Sequence, residues 1–300
     1  MAVADVNGDG KPDLLVSNAG SIGVLLGNGD GTFQPALTYS TGDKNTYSAL
    51  AVADVNGDGK LDVVVTNQAD IGVGVLLGNG DGTFQPVVLY SAGRDSSVAV
   101  ADVNGDGKPD IVVAGGNSVG VLIGNGDGTF QAVVTYSVVG YSATSVAVGD
   151  LNGDGRPDIV VANLGSSNGN RDGTADVLLG NGDGTFQSPL YYSSGGSQAF
   201  SVAIADVNGD GKPDLVLANN MTDNVGVLLG NGDGTFSAAV TYGSGGDADW
   251  VTVADMNGDG KPDLIVSNEY ASNVGVLLGN GDGTFQAAVT FFPVVSNLFL

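Results

Sequence analysis

The sequence predicts an all-β chain folded as a six-bladed β-propeller of four-stranded blades, and three observations carry that expectation. A nine-residue loop, DVNGDGKPD from Asp5 to Asp13, recurs from Asp54, Asp102, Asp150, Asp206 and Asp255, at intervals of 48 to 56 residues. Between loops, each repeat holds four short β-branched or aromatic runs bounded by Gly, Asn and Asp. Helical periodicity is absent, and 51 glycines mark a chain cut into short elements by tight turns. A four-stranded unit repeated in this way is a propeller blade, because a radial array leaves only short sheet edges exposed. The period makes residues 1–300 one domain, with blades at 1–46, 47–95, 96–143, 144–199, 200–248 and 249–300. A seven-bladed parent with one blade missing is the alternative.

The second repeat shows each element in order. Strand A is the small-residue run Ser48–Ala53, followed by the Asp-rich loop; strand B is Val63–Thr66, strand C is Val73–Leu77, and strand D is Phe84–Tyr90. Between C and D lies NGDG, whose Asn-Gly and Asp-Gly pairs suit positive φ and therefore hairpin turns. The NGDGTF segment, Asn28–Phe33 in repeat 1, lacks an acidic first position and reads as a structural turn rather than an ion site; its Phe is expected between blades. The A-B and C-D loops are nearly constant and share one face, whereas the B-C and D-A loops vary and share the other. Repeat 4 departs from the rest, and its extra residues are expected as a longer B-C loop, Gly165 to Asp176. Residues Ser296 to Leu300 are expected either to complete or cover the first blade, whose A strand is only a stub, or to form a free or partner-bound tail.

In the nine-residue loop, oxygen-bearing side chains at positions 1, 3, 5 and 9 and glycines at 4 and 6 bring hard donors together from alternate residues of a tightly curled backbone. Such donors suit Ca2+. Asx turns holding no ion are the alternative. The formal charge of −24 arises mostly in these loops and the NGDG turns, and six divalent ions would offset half of it. Six of the nine basic residues stand at loop position 7, so no basic stripe remains for a nucleic acid.

The chain has no Cys and no His, which excludes disulfides, thiolate zinc and imidazole catalysis. No apolar run reaches the roughly 18 residues of a membrane span, so insertion is not expected. Met1 lies four residues before the first loop, leaving no room for a secretory signal, and the chain is read as a fragment.

The nine-residue pattern, its flanking strands and GNGDGTF resemble the FG-GAP or VCBS repeat family, found in integrin α-subunit propellers and many bacterial secreted proteins. The resemblance covers essentially the whole chain. It implies about six Ca2+, each held by four side chains and the carbonyl of the position-7 residue. In loop 1 these are Asp5, Asn7, Asp9, Lys11 and Asp13; in loop 2, Asp54, Asn56, Asp58, Lys60 and Asp62; in loop 3, Asp102, Asn104, Asp106, Lys108 and Asp110. In loop 4 they are Asp150, Asn152, Asp154, Arg156 and Asp158; in loop 5, Asp206, Asn208, Asp210, Lys212 and Asp214; in loop 6, Asp255, Asn257, Asp259, Lys261 and Asp263. Leu61 replaces the usual Pro, and Arg156 the usual Lys.

The expected function is recognition or adhesion at the cell surface or outside the cell, with a glycan or a protein bound on the variable loop face. Aromatic residues there, Tyr47, Tyr141, Phe200, Trp250 and Tyr270, are the candidate contacts, since rings stack on sugars and anchor protein interfaces. Fungal lectins resembling the family bind sugars between blades, which favours a glycan. A structural or assembly subunit joined through the chain termini is a second reading. Catalysis is not expected: with Glu269 the only Glu and almost all Asp committed to loops, an enzyme acting on polysaccharides would have to rely on Tyr, Lys or a few stray Asp such as Asp172, Asp176, Asp247 and Asp249.

Overall fold

A computed structural model describes residues 1–42, 49–67, 72–93, 96–166 and 171–292. Tyr47 and the Ser296–Leu300 tail therefore lie outside the described residues. The chain divides into two compact units, Met1–Val138 with Gly180–Phe186, and Val139–Leu179 with Gln187–Leu300.

Six four-stranded antiparallel sheets, each running A-B-C-D in chain order, carry the repeats and are consistent with a six-bladed propeller. The first holds β1 (Ala2–Ala4), β2 (Asp13–Asn18), β3 (Ser21–Leu25) and β4 (Leu37–Ser40), and the second β5 (Leu50–Ala53), β6 (Asp62–Asn67), β7 (Gly72–Leu76) and β8 (Val88–Tyr90). The third holds β9 (Ser97–Ala101), β10 (Asp110–Gly115), β11 (Ser118–Leu122) and β12 (Val134–Ser137), and the fourth β13 (Gly140–Gly149), β14 (Asp158–Ser166), β15 (Asp172–Leu178) and β16 (Leu190–Ser197). The fifth holds β17 (Ala199–Ala205), β18 (Asp214–Asn219), β19 (Asn224–Leu228) and β20 (Val240–Gly243), and the sixth β21 (Ala248–Ala254), β22 (Asp263–Asn268), β23 (Asn273–Leu277) and β24 (Val289–Phe291). Among the described residues the only helical element is one 3-10 turn, Asn220–Thr222.

Two expectations are corrected. Strand D of the second sheet begins at Val88 rather than Phe84, four residues after the Phe as in every sheet; Phe84 makes one isolated bridge to Gly78, and the Gln85 amide turns back to the Leu77 carbonyl. The extra residues of repeat 4 do not form a simple loop from Gly165 to Asp176. They lengthen β14 and β15, with Asn163 opposite Thr174, and only 167–171, of which 167–170 lie outside the described residues, separate the two strands.

The apolar core lies between neighbouring sheets. In the first unit Leu15, Ile22 and Val24 pack on Val63, Val65 and Leu76, and Val64 and Val75 pack on Ile111, Val113 and Leu122. In the second, Val160 and Val177 meet Leu215, Leu217 and Leu228, and Val216 and Val227 meet Leu264, Val266 and Leu277. Full burial of such a side chain contributes about 1.5–3 kcal/mol. Five of the six Phe of NGDGTF pack where expected, edge-on to the Tyr of the preceding sheet: Tyr39–Phe84, Tyr90–Phe130, Tyr136–Phe186, Tyr192–Phe236 and Tyr242–Phe285 have ring centroids 5.4–5.5 Å apart, whereas Phe33 is 39% exposed. At the opposite end of the blades, the Asn closing strand B reaches the preceding sheet: Asn67, Asn219 and Asn268 donate to the carbonyls of Thr41, Ser194 and Ser244.

Candidate functional site

The Asp-rich loop is built by its own side chains. Asp5 accepts bonds from the amides of Gly8 (2.8 Å), Asp9 (3.1 Å) and Gly10 (2.7 Å); Asn7 accepts from Asp9 (3.0 Å), and Asp9 from Lys11 (2.9 Å). These bonds curl the backbone so tightly that Gly8 and Gly10 sit at φ 73° and 80°, where a Cβ would strain the chain. The same set recurs in the other loops, for example at Asp150, Asn152 and Asp154, and at Asp255, Asn257 and Asp259. Four position-7 lysines also fold back, with Lys11 Nζ 3.5 Å from Asp9 and Lys60, Lys108 and Lys212 in the same pose, so this side chain does more than lend a carbonyl.

The ninth residue stands apart from the others. Asp13 is fully buried; its Oδ2 accepts the amide of Val6 at 2.9 Å and its Oδ1 that of Gly27 at 2.7 Å, tying the loop to the C-D turn. Asp62, Asp110, Asp214 and Asp263 make the same two bonds. Gly27 and its counterparts are glycines because of this approach: a Cβ on Gly124 would stand 2.1 Å from the carbonyl oxygen of Pro109. Gly124→Ala is expected to cost about 1–3 kcal/mol by overpacking against backbone, read as a lower urea midpoint at unchanged m-value. Burial pushes the Asp62, Asp110 and Asp214 carboxyls up; the two amides pull them down, and the charges of the other two loop aspartates push them up again. The exposed Asp9 is held low, first by the Lys11 amide.

Among the described residues, no group of three or more carboxylates is gathered as metal ligands. The donor chemistry nevertheless fits calcium. Positions 1, 3 and 5 offer hard oxygens, and those that accept a single amide, Asp5 Oδ2, Asn7 Oδ1 and Asp9 Oδ1 in loop 1, keep a second lone pair. The mutual push of the three loop charges is what a divalent ion would relieve.

The NGDGTF turn closes on itself. Asn28 donates from its amide to Thr32 O (2.9 Å) and from its side chain to Thr32 Oγ1 (2.8 Å), while Asp30 Oδ1 accepts both the amide and the hydroxyl of Thr32. Those Thr32 bonds, the hydroxyl first, hold Asp30 low.

On the variable loop face, Tyr141 is 60% exposed, Trp250 57% and Tyr270 81%, whereas Phe200 is half-buried in β17. Trp250 and Tyr270 are the chain neighbours of Asp249 and Glu269, which belong to a polar cluster that the sequence did not reveal as a unit. The β21–β22 register skips between Ala248 and Trp250, leaving Asp249 as a bulge residue, and bulges re-aim side chains. Asp249 accepts the Asn220 side-chain amide at 2.8 Å and the Glu269 backbone amide at 2.6 Å. Burial raises its carboxyl; the Glu269 amide lowers it, and the charges of Glu269 and Asp247 raise it again. Asp223, at φ 52°, is raised by burial and by Asp247. Asp247, Asp249 and Glu269 thus come together, while Asp172 lies apart at the start of β15. Asp176 is buried and structural. It replaces the glycine that stands there in other repeats, such as Gly226, and accepts the amides of Val139 and Gly140. A third group missed in the sequence is Asn220 with Met221, in the 3-10 turn; their signal was the variable B-C segment itself.

No curated protein sequence matches the chain. Among solved structures, an Agrocybe aegerita lectin, described as specifically recognising non-reducing terminal N-acetylglucosamine, shares 27% identity at a TM-score of 0.66 over 96% of this chain and 79% of that one. A functionally unknown protein from Desulfotomaculum acetoxidans shares the fold at 14% identity, with a TM-score of 0.63 over 93% of this chain and 79% of its own. The FG-GAP-like repeat matches six times, over residues 5–65, 54–113, 102–161, 164–217, 206–266 and 255–297, and with six copies spanning nearly every residue the chain belongs to the FG-GAP-like repeat family.

Proposed function

We propose that the chain is a calcium-dependent glycan-recognition module that works outside the cell or at its surface, without catalysis. The observation that carries this reading is the Asp249–Asn220–Glu269 cluster, with two exposed rings, Trp250 and Tyr270, next in sequence to Asp249 and Glu269. Rings offer flat faces to the C–H side of a sugar, and a carboxylate held in place by two donors accepts from its hydroxyls. The lectin at 27% identity supports a glycan over a protein ligand, and makes a terminal N-acetylhexosamine the first probe. Calcium in each Asp-rich loop, held by the residues at positions 1, 3, 5 and 9 and the position-7 carbonyl, would supply charge neutralisation. Millimolar extracellular calcium would fill sites of modest affinity, which supports the location. With no His or Cys and one Glu, general acid-base chemistry has little to draw on.

Titration calorimetry with an N-acetylglucosamine-terminated oligosaccharide, backed by a glycan array, is expected to show saturable binding in calcium. Trp250→Ala is expected to weaken it about tenfold, the scale of one lost ring contact. Because the Asp249 carboxyl is raised, binding should fade on acidification at a higher pH than an exposed aspartate would dictate, and Asp249→Asn should remove that dependence. Absence of saturable binding across the array, or equal affinity in Trp250→Ala and Tyr270→Ala, would sink the reading.

A further inference from the structure

We infer that Asp176 is an uncharged carboxylic acid in the folded protein, its hydroxyl donating to the side-chain oxygen of Asn163, and that the fourth sheet takes up this proton as it folds. The proton makes that sheet a pH-sensitive element, tightened by mild acid.

The other repeats show why an acid at this position is unusual. Five of the six carry glycine there, Gly23, Gly74, Gly120, Gly226 and Gly275. A Cβ on Gly226 or Gly275 would stand 1.8 or 2.1 Å from the carbonyl oxygen of Ser194 or Ser244, so a carbonyl of the preceding repeat occupies the space. In the fourth sheet the segment leading into β13 turns amides inward instead. Asp176 Oδ2 accepts both of them, from Val139 and, at 3.0 Å, from Gly140.

Asp176 Oδ1 has no hydrogen-bond partner among the described residues, and neither has Asn163 Oδ1, although both side chains are fully buried. The Asn163 Nδ2 group is already used, by Thr174 Oγ1 at 3.3 Å and the Val161 carbonyl at 3.4 Å. Val161 pairs with Asp176 and Asn163 with Thr174, which makes Asp176 and Asn163 diagonal neighbours on one face of the β14–β15 ladder. Gly140 touches both: its amide is bonded to Asp176, and a Cβ on it would stand 2.3 Å from Asn163 Cγ. Two buried acceptors side by side without a donor are costly, and one proton on the carboxyl turns them into a hydrogen bond.

No counter-charge is at hand. Arg171 and Asp172, at the start of β15, are exposed; the titratable group opposite Asp176 in β16 is the Tyr191 phenol, and Tyr141 follows Gly140 in β13 and is exposed as well. Among the described residues no charged side chain acts on Asp176, so burial dominates and pushes its carboxyl up, against the pull of the two amides. An isolated buried charge neutralises itself in this way. Gly140 leads directly into Tyr141, so the proton acts on a segment of the variable loop face.

An aspartate raised on folding contributes its full stability below its unfolded value, about pH 3.9, and loses it as pH rises through the folded value. Urea melts of wild type and Asp176→Asn at constant calcium, from about pH 4 to 9, read this. The asparagine mimics the neutral acid, accepting at one end and donating at the other, so the two proteins are expected to match near the acid limit and the variant to be the more stable at the alkaline one. The ratio of their unfolding constants, wild type over variant, is expected to rise about tenfold per pH unit until the folded value is passed, then to level off. Carboxyl-carbon NMR of aspartate-labelled protein reads the group directly: the resonance missing from Asp176→Asn should keep its protonated position in wild type after the exposed aspartates have titrated. Asn163→Ala should move that titration down, since the acid proton loses its acceptor. A carboxyl that titrates with the exposed aspartates, a variant less stable than wild type at the alkaline limit, or a titration that moves up in Asn163→Ala would mean an ionised Asp176 held by a reversed Asn163 amide, and each overturns the inference.

Discussion

Stripping calcium with a chelator is expected to lower the melting temperature by more than about 10 °C, and returning millimolar calcium to restore it. With an affinity on the order of 10 μM and free calcium of about 1 mM, each filled loop would stabilise the native state by roughly 2.7 kcal/mol. Loss of three such sites would cost about 8 kcal/mol, and in a chain of this size each kcal/mol moves the midpoint by about 1.5 °C. The physical reason is electrostatic. Without an ion, Asp54 and Asp58 push against the buried Asp62, and the same triads recur in other loops. Magnesium should substitute poorly, since it demands stricter octahedral geometry and retains its water. Scanning calorimetry with and without chelator reads the effect, and coincident melts would remove calcium from the account.

The parts of this molecule that repeat were legible in the sequence, and the parts that depend on how one blade meets another were not. Four strands per repeat follow from local runs of Val, Leu and Ile between turn residues, and the period supplies six chances to see each element. The Phe of NGDGTF could be placed between sheets because it is the one large apolar residue after a polar turn. Asp249 could not be placed, because its role depends on a one-residue register skip in β21 and on Asn220, 29 residues away in the neighbouring sheet. Asp176 left a visible signal, an acid where the other repeats have glycine, yet only the structure gives it the Val139 and Gly140 amides to accept. The ninth loop position was ambiguous in principle. An aspartate that ligates an ion and one that ties down two amides have the same spacing, and one residue can do both, since each Asp110 oxygen keeps a lone pair beyond the amide it accepts.

That ambiguity yields a second large effect, at Asp110. Asp110→Ala is expected to destabilise the protein by about 2–6 kcal/mol, because it strands the buried amides of Val103 and Gly124, each at about 1–3 kcal/mol. Asp110→Asn should recover part of this, since its oxygen can still accept one amide while its NH2 group faces the other. The cost should persist in chelator, because the two bonds join protein to protein. Asp106→Ala should behave in the opposite way: the residue is exposed, its accepted bond from Lys108 can be replaced by water, and its substitution should be nearly neutral in chelator. In calcium, Asp106→Ala should cost about as much as one emptied site, roughly 2.7 kcal/mol on the affinity assumed above. Urea melts of the two alanine variants, each with and without calcium, separate a clamp from a ligand at positions four residues apart. If the Asp110→Ala deficit vanished in chelator, the ninth aspartate would be acting chiefly through the ion, and its two short amide bonds would contribute little of their own.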